Sequence, residues 1–189
     1  MGIFISRWPL VLAVALLLAV CSKDDPMSDP VGPDVSERID LTSAAFVQGS
    51  NIPPRYTCDG ANLSPSLGWS GVPASAKSLA LVVDDPDARG TWVHWVVYGI
   101  PAGVSELSEG ASSDIGDLLG ATDGTNDFKR TGYGGPCPPD GPAHRYFFKL
   151  FAIDTMLDLP PSATKSELLR AIEGKVVAQG SLMGRYQRR

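Results

Sequence analysis

The pattern of hydrophobic and polar positions in this chain predicts mostly β-strands. Apolar residues alternate with polar ones or run together in short segments, and stretches rich in Gly, Pro, Asn and Asp separate these segments. The predicted strands are residues 41–46, 66–69, 78–83, 91–101, 144–154 and 175–187. A mainly β protein is therefore expected.

The segment 81–101 predicts a strand, a tight acidic turn and a second strand. Alternation places Trp92, His94, Val96 and Tyr98 on one face of the second strand, and Val93, Trp95 and Val97 on the other. Both faces are apolar, which indicates a central strand. A histidine buried there needs a hydrogen-bond partner. The nearest candidates are the carboxylates of Asp84, Asp85 and Asp87.

The other histidine of the chain opens a second aromatic strand, residues 144–154. Its predicted faces are His144, Tyr146, Phe148 and Leu150 on one side, and Arg145, Phe147, Lys149 and Phe151 on the other. A loop rich in Gly and Pro, residues 126–139, precedes this strand. We interpret His94 and His144 as two walls of one small polar site.

A helix is predicted late in the chain. Thr164 and Glu167 form a capping box before the apolar positions Leu168, Leu169 and Ile172, and Gly174 is a natural stop. Because strands dominate, the predicted fold is an antiparallel β-sandwich with peripheral helices.

Residues 104–126 predict a long, nearly featureless loop. The loop is rich in Gly, Ser and Asp, and it leads into the Gly- and Pro-rich segment before the second histidine. Its acidic residues Asp114, Asp117 and Asp123 are expected at a solvated surface, since they lack the spacing of a calcium-binding loop.

Length and charge narrow the class of protein. The 189 residues suffice for one domain with a real core, and 43% of them are hydrophobic. The formal net charge is −5, and Lys and Arg do not cluster. Nucleic acid is therefore not an expected partner.

The N-terminal segment has the layout of a secretory signal. Arg7 precedes an apolar run at residues 10–20, and Cys21 follows directly. The sequence LAVC at 18–21 resembles a bacterial lipobox, in which Cys21 is acylated; a plain secretory signal cut elsewhere is the alternative.

This layout divides the chain into three parts. Residues 1–20 are expected to be a signal peptide, residues 21–37 an acidic, Pro-rich tether, and residues 38–189 the folded domain. The expected location is the periplasmic side of a bacterial cell envelope, with membrane attachment through the N-terminal lipid.

The two remaining cysteines, Cys58 and Cys137, lie in loops rich in Gly or Pro. In an oxidising compartment such a pair is able to form a disulfide. We therefore predict a Cys58–Cys137 bond, with two free thiols as the alternative.

The predicted site has the chemistry of a small anion pocket. Imidazole and loop N–H groups are donors, glycines let the backbone approach a ligand, and prolines hold the loop in place. An aspartate in such a site has two possible uses. It orients a histidine ring by accepting its N–H, or it receives the ammonium of a zwitterionic head group.

The motifs DPDA with WVHWVVYGIP, and then GYGGPCPPDGPAHRYFFKLFA, resemble the phosphatidylethanolamine-binding protein family in its bacterial, Raf kinase inhibitor-like branch. The segments TCDGANLSPSLGW and GSLMGRYQR are also similar to that branch, so the resemblance covers about residues 40–188. It implies a β-sandwich with a small anion pocket.

The resemblance also implies a set of ligand-binding residues: Asp85, Asp87, His94, Gly135, Pro136, His144 and Tyr146. Trp92 is expected to line the pocket. Alternation directs Arg145 away from His144, so we leave it out of the inner site. Asp84 is expected to end its strand rather than to contact a ligand.

Three functions compete at this point. The leading one is a binding module for phosphate or a phospholipid head group, without catalysis, metal or cofactor. The second is an inhibitor of a protease or kinase that acts through a protein interface. The third is a hydrolase or metalloenzyme that uses the His and Asp cluster, although the sequence contains neither G-x-S-x-G nor H-E-x-x-H.

Overall fold

The computed structural model describes residues 1–2, 37–113, 115–116 and 120–188. Cys21, most of the predicted signal peptide and the tether as far as residue 36 lie outside these ranges. Glu37, which the sequence assigned to the tether, belongs to the first strand. No helix in the described ranges has the length and apolar character needed to cross a membrane.

The described strands form two sheets. They are β1 (Glu37–Arg38), β2 (Asp40–Thr42), β3 (Leu67–Ser70), β4 (Ser78–Asp85), β5 (Trp92–Pro101), β6 (Glu106–Leu107), β7 (Thr122–Asp123), β8 (His144–Ile153) and β9 (Val176–Tyr186). The α-helix α1 spans Lys165–Ile172, and 3-10 turns lie at Pro54–Tyr56 and Ala111–Ser113. The larger sheet has the order β1-β9-β8-β4-β5-β7, and the smaller one β2-β3-β6.

Strand β4 is the centre of the larger sheet. It pairs antiparallel with β5 on one side and with β8 on the other, and every residue along it is buried. Its apolar run has no polar face, so both faces of the sheet need a cover. The smaller sheet covers one face through Leu41, Trp69 and Leu107. Helix α1 covers the other face through Leu168 and Ile172. The predicted β-sandwich with a peripheral helix is confirmed.

Helix α1 begins and ends as the sequence predicts. The Thr164 side chain accepts from the Glu167 backbone N–H, and the Glu167 carboxylate accepts from the Thr164 N–H at 2.8 Å. Gly174 follows the helix with φ of 71°, a left-handed conformation that favours glycine.

Two regions differ from the sequence prediction. The strand expected at 41–46 is only β2, because the chain bends after Thr42. The loop expected at 104–126 contains β6, a 3-10 turn and β7.

Asp123 is not a solvated surface residue: its carboxylate accepts from the Trp95 indole N–H at 2.7 Å. Asp114 and Asp117 lie outside the described residues.

Strand β5 does not alternate strictly. Val83 pairs with Trp95 but Asp84 pairs with Val93, so His94 is an extra residue in the ladder. This irregularity corrects the predicted faces. On the helix side lie Val93, Val96 and Tyr98, and on the side of the smaller sheet lie Trp95 and Val97. His94 therefore does not share a face with Val96 and Tyr98, because the shift turns its ring towards Tyr146 on β8.

Asp123 makes the stability of this fold depend on pH. Burial raises the pKa of its carboxyl to about 6, against the hydrogen bond from Trp95. The folded state thus holds a proton that the unfolded state releases near pH 4, and stability falls as pH rises from 4 to above 6. The carboxyl is only partly buried, so we expect a loss of about 1–2 kcal/mol.

The measurement is urea unfolding of Asp123→Asn and wild type at pH 4 and pH 7.5. The variant should be more stable at pH 7.5 by that amount and equal at pH 4, because the amide oxygen still accepts from Trp95. Asp154→Asn, at an exposed position, is the control and should show no such difference. Equal stability of Asp123→Asn and wild type at both pH values would contradict the prediction.

Candidate functional site

The predicted site residues meet where three neighbouring strands begin or end. Asp85 ends β4, Trp92 begins β5 and His144 begins β8. Because β4 is antiparallel to both neighbours, its last residue lies at the same edge of the sheet as their first residues. The apolar strands thus bring their polar ends together.

His94 is held by the loop before β8 and not by an aspartate. Its Nδ1 lies 2.6 Å from the carbonyl oxygen of Gly134, which corrects the expectation of a partner among the aspartates. A carbonyl only accepts, so Nδ1 carries the hydrogen and the neutral ring has an acceptor at Nε2. Phe128 and Tyr146 contact the ring edge to face, with centroids at 5.4 and 5.2 Å. Burial lowers the pKa of His94, against the hydrogen bond to Gly134.

His144 is oriented by Asp85. Its Nδ1 lies 2.7 Å from Asp85 Oδ2, and both side chains are buried. The second oxygen of Asp85 accepts from the backbone N–H of Asp87 at 2.8 Å, which closes the acidic turn after β4. Both oxygens of this carboxylate are therefore in use, and the imidazole is fixed in one orientation.

Asp87 is bound by Arg145. It accepts from the Arg145 backbone N–H and Nε at 2.9 Å, and from Nη2 at 2.7 Å. These bonds lower the pKa of Asp87. Alternation rightly directs Arg145 to the face opposite His144, yet its guanidinium reaches the acidic turn. The charge of Asp87 is thus matched within the protein.

Tyr146 has a buried hydroxyl without a partner. The residue is 1% exposed, and its Oη has no hydrogen bond within the described part of the chain. Burial raises the pKa of Tyr146, and the nearby Asp85 carboxylate adds to the rise, although no hydrogen bond between the two groups meets the usual distance and angle limits. The hydroxyl is therefore a protonated donor on a ring that packs edge to face on His94. Such a group is unfavourable for folding unless something binds to it.

Gly135 and Pro136 anchor the loop and do not offer donors. The Gly135 N–H donates to Asn62 Oδ1 at 2.8 Å, and the Pro136 carbonyl accepts from the Cys58 N–H at 3.1 Å. A Cβ at Gly135 would lie 2.5 Å from the carbonyl oxygen of Tyr56. The prediction that loop N–H groups face a ligand is therefore wrong for Gly135: it is glycine because two backbone segments touch there.

The predicted disulfide fastens the same loop. Cys58 and Cys137 are bonded, with 5.4 Å between their Cα atoms and 79 residues between them in sequence. Because Gly134 supplies the carbonyl that binds His94, the bond helps to fix the position of that imidazole.

Two aromatic rings border the site on the solvent side. Trp92 and Phe128 are each 37% exposed and lie edge to face at 5.5 Å. Phe128 packs on Gly134, where a Cβ would lie 2.4 Å from its ring. Trp92 is thus at the rim, in contact with the ring that contacts His94.

Asp84 lies outside the site, as the sequence predicts. Its buried carboxylate forms ion pairs with Lys149 and with Lys165 at the start of α1. It therefore joins β4 to the helix on the opposite face of the sheet.

The described residues contain no group of three or more His, Cys, Asp or Glu side chains able to hold a metal ion.

Sequence reasoning missed Asn62, Phe128, Gly134 and Arg185. Asn62 is 73 residues from Gly135, and no local pattern links them. Phe128 stands in a loop without periodicity. Arg145 lies within a motif that the sequence shows, but alternation alone does not predict that its guanidinium reaches Asp87.

Open space adjoins the site on one side. A cavity of about 420 Å³ is lined by Asp87, Pro142, Ala143, His144, Arg145 and Arg185. Another cavity of about 650 Å³ is lined mainly by residues of β1, β2, β8 and β9 and contains none of the predicted site residues. We place the site by its chemistry, at the histidines, rather than by cavity size.

The fold and the site together are those of a β-sandwich protein with a small polar site at one end of its larger sheet. A family model described as phosphatidylethanolamine-binding protein matches residues 42–187. The chain belongs to the phosphatidylethanolamine-binding protein family.

Several relatives cover most of the chain. The UPF0098 protein of Methanothermobacter thermautotrophicus is 51% identical over 152 residues, which are 79% of this chain and 99% of that protein. The PEBP homolog CT736 of Chlamydia trachomatis has 42% identity and a TM-score of 0.73 over 82% of this chain and all of the other. YbcL of E. coli, described as a member of the mammalian PEBP family, has 35% identity and a TM-score of 0.75 over 80% of this chain and 99% of its own.

The disulfide should contribute measurably to stability. Replacing both cysteines by serine (Cys58→Ser with Cys137→Ser) should lower the free energy of unfolding by about 2–4 kcal/mol, because the bond closes a long loop in the unfolded chain. Urea unfolding with and without reductant tests this. Reductant should shift wild type towards the variant and leave the variant unchanged; a wild type that keeps its midpoint after thiol titration shows complete reduction would contradict the prediction.

The unpartnered hydroxyl predicts an unusual effect on stability. Tyr146→Phe should leave the free energy of unfolding unchanged or raise it by up to about 1 kcal/mol, since it removes a buried donor that makes no bond. Tyr133→Phe is the matched control: its buried hydroxyl donates to the Tyr56 carbonyl at 2.9 Å, so its loss should cost about 1–2 kcal/mol. Equal destabilisation by the two variants, measured in urea, would show that Tyr146 has a partner.

Proposed function

We propose that the chain is a binding protein, without catalysis, that holds a phosphate-type anion, free or in a phospholipid head group, between His94, His144 and Tyr146. Membership of the phosphatidylethanolamine-binding protein family supports a binding protein of that kind. The observation that carries the proposal is the buried Tyr146 hydroxyl, which has no partner in the described residues and lies beside the oriented imidazoles.

The charges of the site favour an anion over an ammonium group. Both carboxylates that could receive an ammonium already accept bonds inside the protein, Asp85 from His144 and Asp87 from Arg145. Of the two uses of an aspartate, orientation of a histidine fits Asp85. Within the described part of the chain the group that lacks a partner is the donor on Tyr146, and a donor in a partly dry site favours an oxyanion.

Protonation of His94 adds a second donor. In the neutral ring Nε2 is an acceptor, and in the charged ring it is a donor with a positive charge. Burial keeps the pKa of His94 below its ordinary value of 6.5, against the hydrogen bond to Gly134, so lower pH favours the charged ring. An anion that binds the charged ring raises that pKa in turn, by linkage.

The proposed location follows the N-terminal sequence. The apolar run 10–20 followed by Cys21 supports an exported lipoprotein attached to a bacterial membrane by its N-terminus. A domain held there would meet phospholipid head groups. Mass spectrometry of the cell-derived protein tests the attachment: acylation of Cys21 supports it, and an unmodified Cys21 overturns it.

Calorimetry with the full-length chain tests the site. Inorganic phosphate, O-phosphoethanolamine and sulfate are titrated at pH 5.5 and pH 8. Binding is expected to be tighter at pH 5.5 than at pH 8, because lower pH favours the charged His94 ring and a bound anion raises the pKa of that ring. Sulfate keeps its charge between these pH values, so its change in affinity reports on the protein alone.

Variants distinguish a loss of ligand binding from a loss of folding. Tyr146→Phe should weaken binding roughly tenfold or more, since it loses a hydrogen bond to a charged ligand. His144→Ala should also weaken it, whereas Tyr133→Phe should bind as wild type does. Absence of binding for all three anions at both pH values, or full affinity in Tyr146→Phe, would refute the proposal.

A further inference from the structure

The cavity of about 420 Å³ beside the site has a charged lining of its own. It shares Asp87 and His144 with the candidate site, so the two spaces adjoin. Its other charged residues are Arg145 on β8 and Arg185 on β9. A ligand bound at His144 would therefore lie next to two guanidinium groups.

The two arginines occupy directly opposed positions. Arg145 and Arg185 are register partners in the antiparallel pair of β8 and β9, so their side chains leave the same face of the sheet. Like charges in such a pair destabilise a sheet. A compensating anion is therefore expected close to both.

Carboxylates of the described residues neutralise only part of the positive charge of the two arginines. Asp87 matches Arg145 with two side-chain hydrogen bonds. Arg185 is exposed, and no ion pair of the described residues includes it. Asp85, which is hydrogen-bonded to His144, does not line the cavity. Two guanidinium groups and one carboxylate leave one net positive charge at the cavity.

A single surplus charge fits a monoanion. A guanidinium also presents parallel N–H groups that match the two oxygens of a carboxylate. A phosphate carries up to two charges, and the candidate site offers it a buried donor. The cavity is thus better suited to a carboxylate than to a second phosphate.

We propose that the cavity at Arg145 and Arg185 is a second anion subsite, which receives the carboxylate of a ligand whose phosphate lies at His94, His144 and Tyr146. This inference rests on the function proposed above and narrows its ligand class to phosphate compounds with a nearby carboxylate, such as a phosphoserine group. The same chemistry occurs in a soluble phosphomonoester and in a lipid head group.

The test compares ligands that differ by one carboxylate. O-phospho-L-serine and O-phosphoethanolamine are titrated into the full-length chain by calorimetry at pH 7 and low salt. Wild type should prefer phosphoserine by roughly twofold to fivefold, the range for an exposed ion pair. Dihexanoyl phosphatidylserine and dihexanoyl phosphatidylethanolamine repeat the comparison for lipids, and the pair with the larger preference identifies the source.

Three variants assign the effect to Arg185. Arg185→Gln should abolish the preference, because it weakens phosphoserine binding more than phosphoethanolamine binding, while Arg185→Lys should keep part of the preference. Arg170→Gln, on α1, makes the same change in net charge away from the cavity and should keep it in full. Because the Arg185 side chain is exposed, these variants should fold.

Each result decides between the two proposals. Equal binding of phosphoserine and phosphoethanolamine by wild type would overturn this subsite and leave the phosphate site standing. Loss of the preference in Arg170→Gln as well would assign it to net charge and also overturn the subsite. Binding of none of the four ligands would overturn the proposed function and this inference together.

Discussion

The burial of β4 on both faces is the constraint on which the rest of this structure depends. A strand without a polar face requires a cover on each side of its sheet, and the smaller sheet and α1 supply these covers. The neighbouring strands β5 and β8 are buried for the same reason. Most polar side chains of β4, β5 and β8 therefore lie near the strand ends, where they need not enter a dry core, and the buried Lys149 of β8 is paired with Asp84. The candidate site is the place where three such ends meet.

The charges at this edge are arranged in fixed pairs on opposite faces of the sheet. Asp84 and Asp85 are adjacent in sequence, and alternation sends them to different faces. Asp84 joins β4 to the lysines of β8 and α1, while Asp85 orients His144. Each carboxylate thus has a structural partner. Among the described residues at this edge, the Tyr146 hydroxyl and the Arg185 guanidinium have no such partner, and the proposed ligands are chosen to bind these two groups.

The sequence predicts those parts of the fold that local rules control. The long apolar strands, the capping box at Thr164 and the two faces of β8 follow from periodicity and end signals, and the structure has them. The short strands β6 and β7 carry no such signal, because their pairing comes from neighbours distant in sequence. The extra residue at His94 escapes too, since alternation assumes an unbroken ladder.

The sequence predicts which residues form the candidate site better than it predicts what each of them does there. His94, His144, Asp85 and Tyr146 lie together, but the partner of His94 is a loop carbonyl that no spacing rule identifies. Gly135 was selected as a point of ligand approach, whereas it is a point of contact between two segments of the chain. A glycine needed for close packing and one needed for binding look the same in a sequence.

The position of β9 has a consequence for folding during synthesis. This late strand lies between β1 and β8, its Tyr186 is opposite His144, and Arg185 also bonds to Ser50. Contacts between the two ends of the described fold close last during synthesis, and folds built on such distant pairings form slowly. A growing chain therefore lacks the strand that pairs with the start of β8, at His144 and Arg145, until residue 186 has been made.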